Sequence, residues 1–425
     1  MKKTDVNYEK CLNVLKEELL PAMGCTEPIA ISYCAAVARE TLGDIPDRIV
    51  VKASGNIIKN VKSVVVPNTG NLKGITAAAA AGVIAGDANK KLEVISSVTD
   101  EQIEEIKNYL NSTEISVELA ETPYIFDINI TVYKNDSYAT VRIVNYHTNI
   151  VFIEKDGKVF RDSVISCEVE NGLTNRSFLS VELILDFANS VDLADVKDLL
   201  DIQIKYNMAI AEEGLKGSYG ANIGSVLLNH NESSLKNKAK AMAAAGSDAR
   251  MNGCDMPVII NSGSGNQGIT ASVPVVVYAR ELKVSDEKMY RALVLSNLIA
   301  IHQKTRIGRL SAYCGAINAG AAAGCGIAYL LDGSLDAISH TLVNALAIAS
   351  GVICDGAKAS CAGKIAVAVD TGILGYEMYC DNQQFFGGDG IVKKGTENTL
   401  ASVGRLGHDG MKETDIEILN IMIDK

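Results

Sequence analysis

Residues 126–160 read FDINITVYKNDSYATVRIVNYHTNIVFIEKDGKVF. Apolar and polar residues alternate through this stretch, which is the pattern of strands with one buried face. Turn residues interrupt the alternation at Lys134-Asn-Asp-Ser137 and at Lys155-Asp-Gly157. We therefore predict two β-hairpins here, and with them a largely antiparallel sheet.

The sheet pattern extends on the N-terminal side of this stretch. Residues 47–56, 61–70, 91–98 and 115–121 are further strand candidates because they are rich in β-branched residues and end in turn residues. Residues 100–111 read as a helix. We therefore predict that residues 45–175 form the smaller domain, of mixed α+β type.

From residue 178 onward the apolar period becomes helical. This pattern predicts helices at 178–188, 192–213, 218–228, 234–246, 268–282, 286–302, 312–331, 336–352 and 357–370. Residues 176–425 are thus expected to be a mostly α-helical domain, and the fold class is α+β. Residues 8–42 also read as helical, with a break at Pro21-Ala-Met-Gly24, and we expect the segment 1–44 to pack with the helical domain.

Length and charge limit the classes of protein. A chain of 425 residues is too long for one ordinary compact core. The net charge of −11 and the lack of a basic stripe argue against a nucleic-acid partner. The N-terminus lacks the apolar region of a secretory signal, and the apolar Ala/Gly stretches are too weakly hydrophobic for membrane spans. We expect a cytoplasmic protein with no membrane association.

The chain has ten cysteines. A disulfide framework is not expected in a cytoplasmic chain of this size, and the default interpretation is small buried hydrophobic residues, as for Cys11, Cys34, Cys167 and Cys325.

Three cysteines could instead form a set of metal ligands. Cys354 and Cys361 flank a glycine-containing segment, and Cys314 precedes Gly315 forty residues earlier. Zinc sites usually show closer cysteine pairs and a fourth ligand, which is not obvious here. Three thiolates on an iron–sulfur cube leave one iron open as a Lewis acid. Spacing alone leaves buried structural cysteines as the default.

Cys25 lies in Gly24-Cys-Thr-Glu-Pro28, just before a predicted helix. The helix dipole and free amides at such a position lower the pKa of a thiol, so Cys25 could serve as a base or a nucleophile. An inert cysteine in a helix-start turn is the alternative.

The segment Asn261-Ser-Gly-Ser-Gly-Asn-Gln-Gly268 contains a G-x-G-x-x-G pattern. A dinucleotide site would need a βαβ unit, and the following sequence is helical instead. We therefore interpret it as an anion site, in which Ser264, Gly265, Asn266 and Gln267 bind a carboxylate at a helix N-terminus.

Other polar residues are candidates for binding a small zwitterion. They are Ser54, Gly55 and Asn56 in one turn, Asn68 and Thr69 in another, and Lys358 between two candidate ligands. Ordinary turn chemistry and an exposed lysine are the alternatives. His302 reads as a satisfied structural histidine, and Cys254 and Cys380 have no assigned role.

Four segments taken together carry a family resemblance: Gly24-Cys-Thr-Glu-Pro-Ile-Ala30, the loop 261–268, Cys314-Gly315, and Ile353-Cys-Asp-Gly-Ala-Lys-Ala-Ser-Cys361. The chain resembles the L-cysteine desulfidase family, which is related to the alpha part of iron–sulfur L-serine dehydratases. The resemblance runs over essentially the whole chain.

The resemblance implies one [4Fe–4S] cluster per chain, with Cys314, Cys354 and Cys361 as three cysteine ligands and one iron left open. It also implies that Cys25 is the base. The implied activity is that of a carbon–sulfur lyase: L-cysteine binds the open iron through its thiolate and is converted by β-elimination to sulfide, pyruvate and ammonia. The dehydratases space their last two ligands more widely, which favours cysteine over serine.

Four alternatives to this function stay open. They are an iron–sulfur L-serine dehydratase, a non-catalytic iron–sulfur amino-acid sensor, a pyridoxal enzyme, and a nucleotide-binding enzyme suggested by the glycine pattern. The expected partner is the small-molecule substrate, and a homodimer is expected for an enzyme of this size.

Overall fold

The computed structural model describes residues 1–164, 173–230, 233–308 and 311–422, so Cys167 lies outside the described residues. Two sheets occur within them. The strands are β1 (Pro21–Met23), β2 (Arg48–Ala53), β3 (Glu114–Leu119), β4 (Asp127–Lys134), β5 (Ser137–Val144), β6 (Ile150–Lys155), β7 (Lys158–Asp162) and β8 (Pro257–Ile259).

The larger sheet has the order β3–β2–β4–β5–β6–β7. Only β2 and β3 run parallel, while the other neighbours are antiparallel. Both predicted hairpins are confirmed, and Asn135 and Asp156 take the left-handed backbone that tight turns require. The α+β fold class with a largely antiparallel sheet is therefore confirmed.

Helices account for most of the remaining described chain. They are α1 (Val6–Glu18), α2 (Thr26–Leu42), α3 (Gly55–Val61), α4 (Gly74–Ala85), α5 (Asp100–Ser112), α6 (Val181–Ser190), α7 (Leu193–Lys216), α8 (Ile223–His230), α9 (Leu235–Met251), α10 (Gly265–Glu281), α11 (Asp286–Ile307), α12 (Gly315–Leu331), α13 (Leu335–Ala349), α14 (Cys361–Cys380), α15 (Thr396–Arg405) and α16 (Lys412–Met422).

Two strand predictions are wrong. Residues 61–70 run from the end of α3 into turns, and residues 91–98 consist of the end of a short 3-10 helix, Ala88–Glu93, and the turns after it. Their apolar residues are buried nonetheless, among them Val64, Val66 and Val94. Burial of a β-branched run therefore does not require a neighbouring strand. The sequence patterns also did not predict α15 and α16.

The described residues form two large hydrophobic cores. One contains α1 and the helices of the second half of the chain. The other contains α2, α3, α4 and the larger sheet. Helix α1 packs within the helical core, whereas α2 packs against α4 and the larger sheet. The boundaries at residues 44 and 175 stay a prediction.

Helices α12 and α14 cross in backbone contact. A Cβ added at Gly320 would lie 2.4 Å from the backbone of Ala368, and one added at Gly372 would lie 2.2 Å from the Gly320 carbonyl oxygen. Glycine is required at such a crossing because any side chain would separate the helices. This contact fixes the N-termini of two helices that begin at or directly after candidate ligands.

None of the helices in the described part of the chain has both the length and the apolar character needed to cross a membrane.

Candidate active site

A cavity of about 680 Å³ is lined by residues of both cores. The sheet-side core contributes Cys25 and Phe126, and the helical core contributes Tyr313 and Cys314. Eight of the residues predicted from the sequence line this cavity: Cys25, Asn56, Ser264, Asn266, Gln267, Cys314, Cys354 and Cys361. Residues from remote parts of the chain thus face one space.

Backbone pairing brings Cys314 and Cys354 together. Tyr313 and Ile353 form an antiparallel bridge. The Cys314 amide donates to the Val352 carbonyl at 3.1 Å, and the Cys354 amide donates to the Ala312 carbonyl at 2.6 Å. The helical segment of α12 and α13 that connects the two cysteines therefore returns to its starting point, so that Cys314 and Cys354 lie next to the two residues of the bridge.

The third cysteine is positioned by α14, of which it is the first residue. The Cys361 amide donates to the Lys358 carbonyl at 3.0 Å, which closes the turn after Cys354. Gly356 within this turn has a φ of 94°, and a Cβ there would lie 2.1 Å from the Lys59 carbonyl oxygen. Only glycine fits this position, which explains the glycine between the two cysteines.

Burial, followed by the proximity of Cys354, raises the pKa of the Cys314 thiol to about 12. Burial also raises the pKa of Cys361, with Cys354 again contributing. The mutual effects indicate that the three sulfurs are close to one another. The raised pKa values favour protonated Cys314 and Cys361 thiols in the protein alone, and a bound metal would displace these protons.

The three cysteines do not meet at a site for a single metal ion. Among the described residues, no three His, Cys, Asp or Glu side chains lie close enough to hold one metal ion together. A tetrahedral zinc site is therefore not formed by these residues. In a [4Fe–4S] cluster each thiolate binds a different iron, so the sulfurs are spaced around the cluster rather than around one point.

A lysine and an aspartate lie beside the cysteines. The Lys364 ammonium lines the cavity, donates to the Ile353 carbonyl at 2.8 Å and pairs with Asp355. Burial would raise the pKa of Asp355, but Lys358 and Lys364 outweigh it and hold that pKa at about 2. Lys364 is thus placed to balance negative charge on the cysteine side.

Cys25 caps the N-terminus of α2 and is buried. Gly24 before it has a φ of 53°, and a Cβ there would lie 2.1 Å from the Pro67 ring, so the turn requires glycine. The Cys25 thiol donates to Glu27 Oε2 at 3.0 Å. Burial, followed by the Glu27 charge, raises the pKa of the thiol well above its ordinary value, although Arg250 opposes this. The predicted lowering of this pKa is therefore wrong, because burial outweighs the helix terminus.

The glycine loop meets α9 at a buried arginine. Ser264 caps α10 and accepts a hydrogen bond from the Gln267 amide at 3.4 Å. A Cβ at Gly265 would lie 2.3 Å from Arg250 Nε, and one at Gly268 would lie 2.0 Å from the Ile259 carbonyl oxygen. The glycines therefore allow close packing, while β8 pairs antiparallel with β1 and forms no βαβ unit.

Arg250 is only 3% exposed and lines the cavity. Its NH1 donates to Asn266 Oδ1 at 3.1 Å, and its Nε has no hydrogen-bond partner. Among the described residues no carboxylate pairs with it. A guanidinium that lines a cavity without a carboxylate partner, at the N-terminus of α10, is suited to bind a carboxylate there.

Some predicted site residues lie elsewhere. Asn68 and Thr69 do not line the cavity, and their side chains donate to the carbonyls of Ile95 and Val66. Lys358 is also outside the lining and donates to the Asp355 and Gly356 carbonyls. Turn chemistry therefore accounts for the first two.

Ser54, Gly55 and Asn56 begin α3 rather than forming a free turn. Ser54 and Gly55 line a neighbouring pocket of about 250 Å³, whereas Asn56 lines both spaces. The Ser54 hydroxyl donates to the Ile125 carbonyl at 2.7 Å, so it is used within the fold.

Three residues without an assigned role lie outside the cavity lining. Cys254 is buried, and Cys380 is exposed at the end of α14. His302 Nε2 lies 2.9 Å from Glu397 Oε2, consistent with the predicted structural histidine.

Sequence patterns missed Arg250, Glu27 and Lys364 as site residues. Glu27 belongs to the Cys-Thr-Glu-Pro segment, so a signal for it was present. Arg250 lies in the last turn of an alanine-rich helix, and no local pattern distinguishes it from a C-terminal arginine that stabilises the helix dipole.

Comparison with known proteins gives one family and a set of relatives. Residues 89–420 match the family model described as serine dehydratase alpha chain. The chain is 61% identical to a UPF0597 protein of Desulfitobacterium hafniense, with 100% of this chain and 99% of the relative covered. UPF0597 proteins of Lachnoclostridium phytofermentans and Treponema denticola are 52% and 48% identical; the matches cover 98% of this chain in both cases and 100% and 98% of the respective relatives.

Proposed function

Because the chain belongs to the serine dehydratase alpha chain family, a family related to dehydratase and lyase enzymes, we propose that it is a [4Fe–4S]-dependent lyase that eliminates sulfide from L-cysteine. The observation that carries the proposal is the single cavity that Cys25, Arg250 and the three cysteines line together. The aminoacrylate product would hydrolyse in water to pyruvate and ammonia. Cytoplasmic location and a homodimer remain part of the proposal.

Cys314, Cys354 and Cys361 would hold one cluster per chain. When bound, the cluster would supply an iron without a protein ligand, which acts as a Lewis acid on the leaving group. Lys364 would stabilise the thiolates that hold the cluster because its ammonium lies near Cys314 and Cys354, and Asp355 keeps Lys364 in place.

The substrate carboxylate binds at the glycine loop. Arg250 lines the cavity and is oriented by Asn266, and the N-terminus of α10 lies beside it. A charge-assisted bond to a buried guanidinium fixes the substrate more firmly than amides alone. Holding the carboxylate also stabilises negative charge that develops on the adjacent carbon.

Cys25 is the proposed base for the α-proton. Cys25 lines the cavity, and the Arg250 charge favours its thiolate. The thiol is protonated at rest because of burial and the Glu27 charge, so it must release its proton before it can accept one. A buried thiolate close to the α-carbon would be a strong base for this weakly acidic proton.

Serine is the second candidate substrate because the family description names serine dehydratase. The short spacing between Cys354 and Cys361 and the Cys-Thr-Glu-Pro segment favour cysteine.

The experiment is purification without oxygen, followed by iron and acid-labile sulfide analysis and turnover of L-cysteine and L-serine. We expect four irons per chain, with sulfide and pyruvate formed in equal amounts from L-cysteine. Preferred turnover of L-serine would make serine, not cysteine, the substrate. A bound cluster without turnover of either amino acid would support a non-catalytic amino-acid sensor. Absence of iron after reconstitution, or an aldimine absorption band, would contradict the proposal.

A further inference from the structure

Two charged groups that line the cavity are in no ion pair with any described residue. They are the Arg250 guanidinium and the Glu27 carboxylate. Several other charges in the lining are paired, as Lys59 is with Asp415, Lys364 with Asp355 and Lys412 with Asp409. A guanidinium and a carboxylate without ion pairs in one cavity are together complementary to the two charges of a zwitterion.

The neighbours of Glu27 are neutral hydrogen-bond donors. The Cys25 thiol donates to Oε2 at 3.0 Å, and Asn60 Nδ2 donates to Oε1 at 3.3 Å. The Thr26 hydroxyl lies 3.1 Å from Oε2. These contacts hold the carboxylate in one orientation while leaving its charge without a counterion, and an ammonium group would supply one.

The charges of Glu27 and Arg250 have opposite effects on the pKa of the Cys25 thiol. After burial, the Glu27 charge is the next cause that raises the pKa of Cys25, and the Arg250 charge lowers it. Both groups are therefore near the Cys25 thiol. In an α-amino acid the ammonium and the carboxylate are attached to one carbon, so two such anchors would hold that carbon close to the sulfur.

We propose that Glu27 binds the α-ammonium group of the substrate, opposite the carboxylate held by Arg250. The inference rests on the proposed function in taking an α-amino acid as the ligand. It makes Glu27 a positioning residue that presents the α-hydrogen to Cys25. It predicts selectivity for amino acids over thiol acids that lack the amino group.

Binding of the ammonium has a second consequence for the base. A positive group on Glu27 compensates the charge that disfavours the Cys25 thiolate, so loss of the thiol proton to water becomes easier when substrate is bound. The base would then form in the presence of substrate, and the resting thiol would be protected from oxidation.

The test uses Glu27→Gln, which keeps the shape and an oxygen acceptor for Cys25 but removes the charge. Binding of L-alanine and of propionate to the anaerobically purified protein is measured by calorimetry, because these ligands differ in the amino group and carry no leaving group. In the wild type we expect L-alanine to bind more tightly. In Glu27→Gln we expect L-alanine affinity to fall about 10-fold or more and propionate affinity not to fall, since a charged hydrogen bond is lost.

Turnover provides the second readout. We expect the KM for L-cysteine to rise about 10-fold or more in Glu27→Gln, with iron content and thermal unfolding unchanged. Glu27→Asp should recover part of the L-alanine affinity. The matched control is Glu105→Gln, the same change at an exposed position of α5, and it should behave as the wild type.

The binding and turnover measurements test the role of Glu27 and the lyase activity separately. Equal L-alanine affinity in wild type and Glu27→Gln, or no L-alanine binding to the wild type, overturns the role of Glu27 even if L-cysteine is turned over. Loss of L-alanine affinity in Glu27→Gln together with absence of wild-type turnover keeps the ammonium site and overturns the lyase.

Discussion

At the scale of single residues, Cys25 shows how burial decides chemistry. Its place before α2 suggests an acidic thiol, yet its exposed fraction is 3% and its hydrogen-bond acceptor is a carboxylate. Both features favour the neutral thiol. Formation of the Cys25 thiolate, the proposed base, therefore depends on the charge of the ligand that enters the cavity.

We expect Cys25→Ala to lower kcat for L-cysteine about 100-fold or more, because general base catalysis is lost. Iron content and the visible spectrum should not change, since Cys25 is not among the proposed ligands. The control is Cys380→Ala at the exposed end of α14. Full activity in Cys25→Ala would show that another group removes the α-proton.

Asp248 is a second residue governed by burial. It is fully buried in α9, accepts a hydrogen bond from the Gly224 amide at 3.0 Å, and leaves its Oδ1 without a partner. Burial raises its pKa to about 6, although the amides of Gly224 and Ile223 oppose this. Because the folded state holds this proton more tightly than the unfolded chain, this group's contribution to stability is greatest at low pH and falls as pH rises to about 6.

We therefore expect Asp248→Asn to gain stability relative to the wild type as pH rises. The free energy of unfolding of the variant, minus that of the wild type, should be about 1 to 2 kcal/mol larger at pH 8 than at pH 5. Urea unfolding at both pH values measures it, with the exposed Asp136→Asn as control. A difference that does not depend on pH would contradict the raised pKa.

At the scale of elements, the crossing of α12 and α14 controls the cysteine geometry. Cys314 caps α12, and Cys361 begins α14. The backbone contact at Gly320 and Gly372 therefore fixes the separation of two proposed ligands that belong to different helices.

Gly372→Ala should force these helices apart, because its Cβ would lie 2.2 Å from the Gly320 carbonyl oxygen. We expect a loss of about 1 to 3 kcal/mol in unfolding free energy and a lower iron content after anaerobic purification. The matched control is Gly363→Ala in the same helix, where an added Cβ meets nothing within 4 Å. Equal iron content and equal stability in the two variants would mean that the crossing tolerates the side chain.

At the scale of the whole molecule, the cavity joins the two hydrophobic cores. Helix α16 contributes to this junction because its Asp415 pairs with the buried Lys59 of α3. Both residues line the cavity. The three cysteines come from the cap of α12, a loop and the start of α14. A bound cluster would therefore cross-link parts of the fold that otherwise meet only through noncovalent contacts.

We expect Cys314→Ser, Cys354→Ser and Cys361→Ser each to abolish the brown colour, iron retention and turnover. The cluster-free protein should also unfold a few degrees lower than the loaded protein, because a group that binds only the folded state stabilises it. Differential scanning calorimetry under anaerobic conditions measures this shift, with Cys380→Ser as control. Retained iron in any of the three variants would remove that residue from the ligand set.

Local sequence patterns determined much of this protein. Alternation and turn residues predicted the hairpins of β4–β7, and the helical period predicted most helices of the second half, because both patterns record interactions between residues that are close in sequence. The Cys354–Cys361 segment and Cys25 were likewise found from their immediate neighbours.

Tertiary structure alone decided which of these residues share a site. Glu27 and Arg250 are separated by 223 residues in the sequence, and only the packing of α2 and α9 around one cavity makes them complementary charges. The acidity of Cys25 was also decided there, since burial depends on what the rest of the chain places over the thiol. Interactions between remote residues leave no period in a single sequence, because packing rather than spacing brings them together.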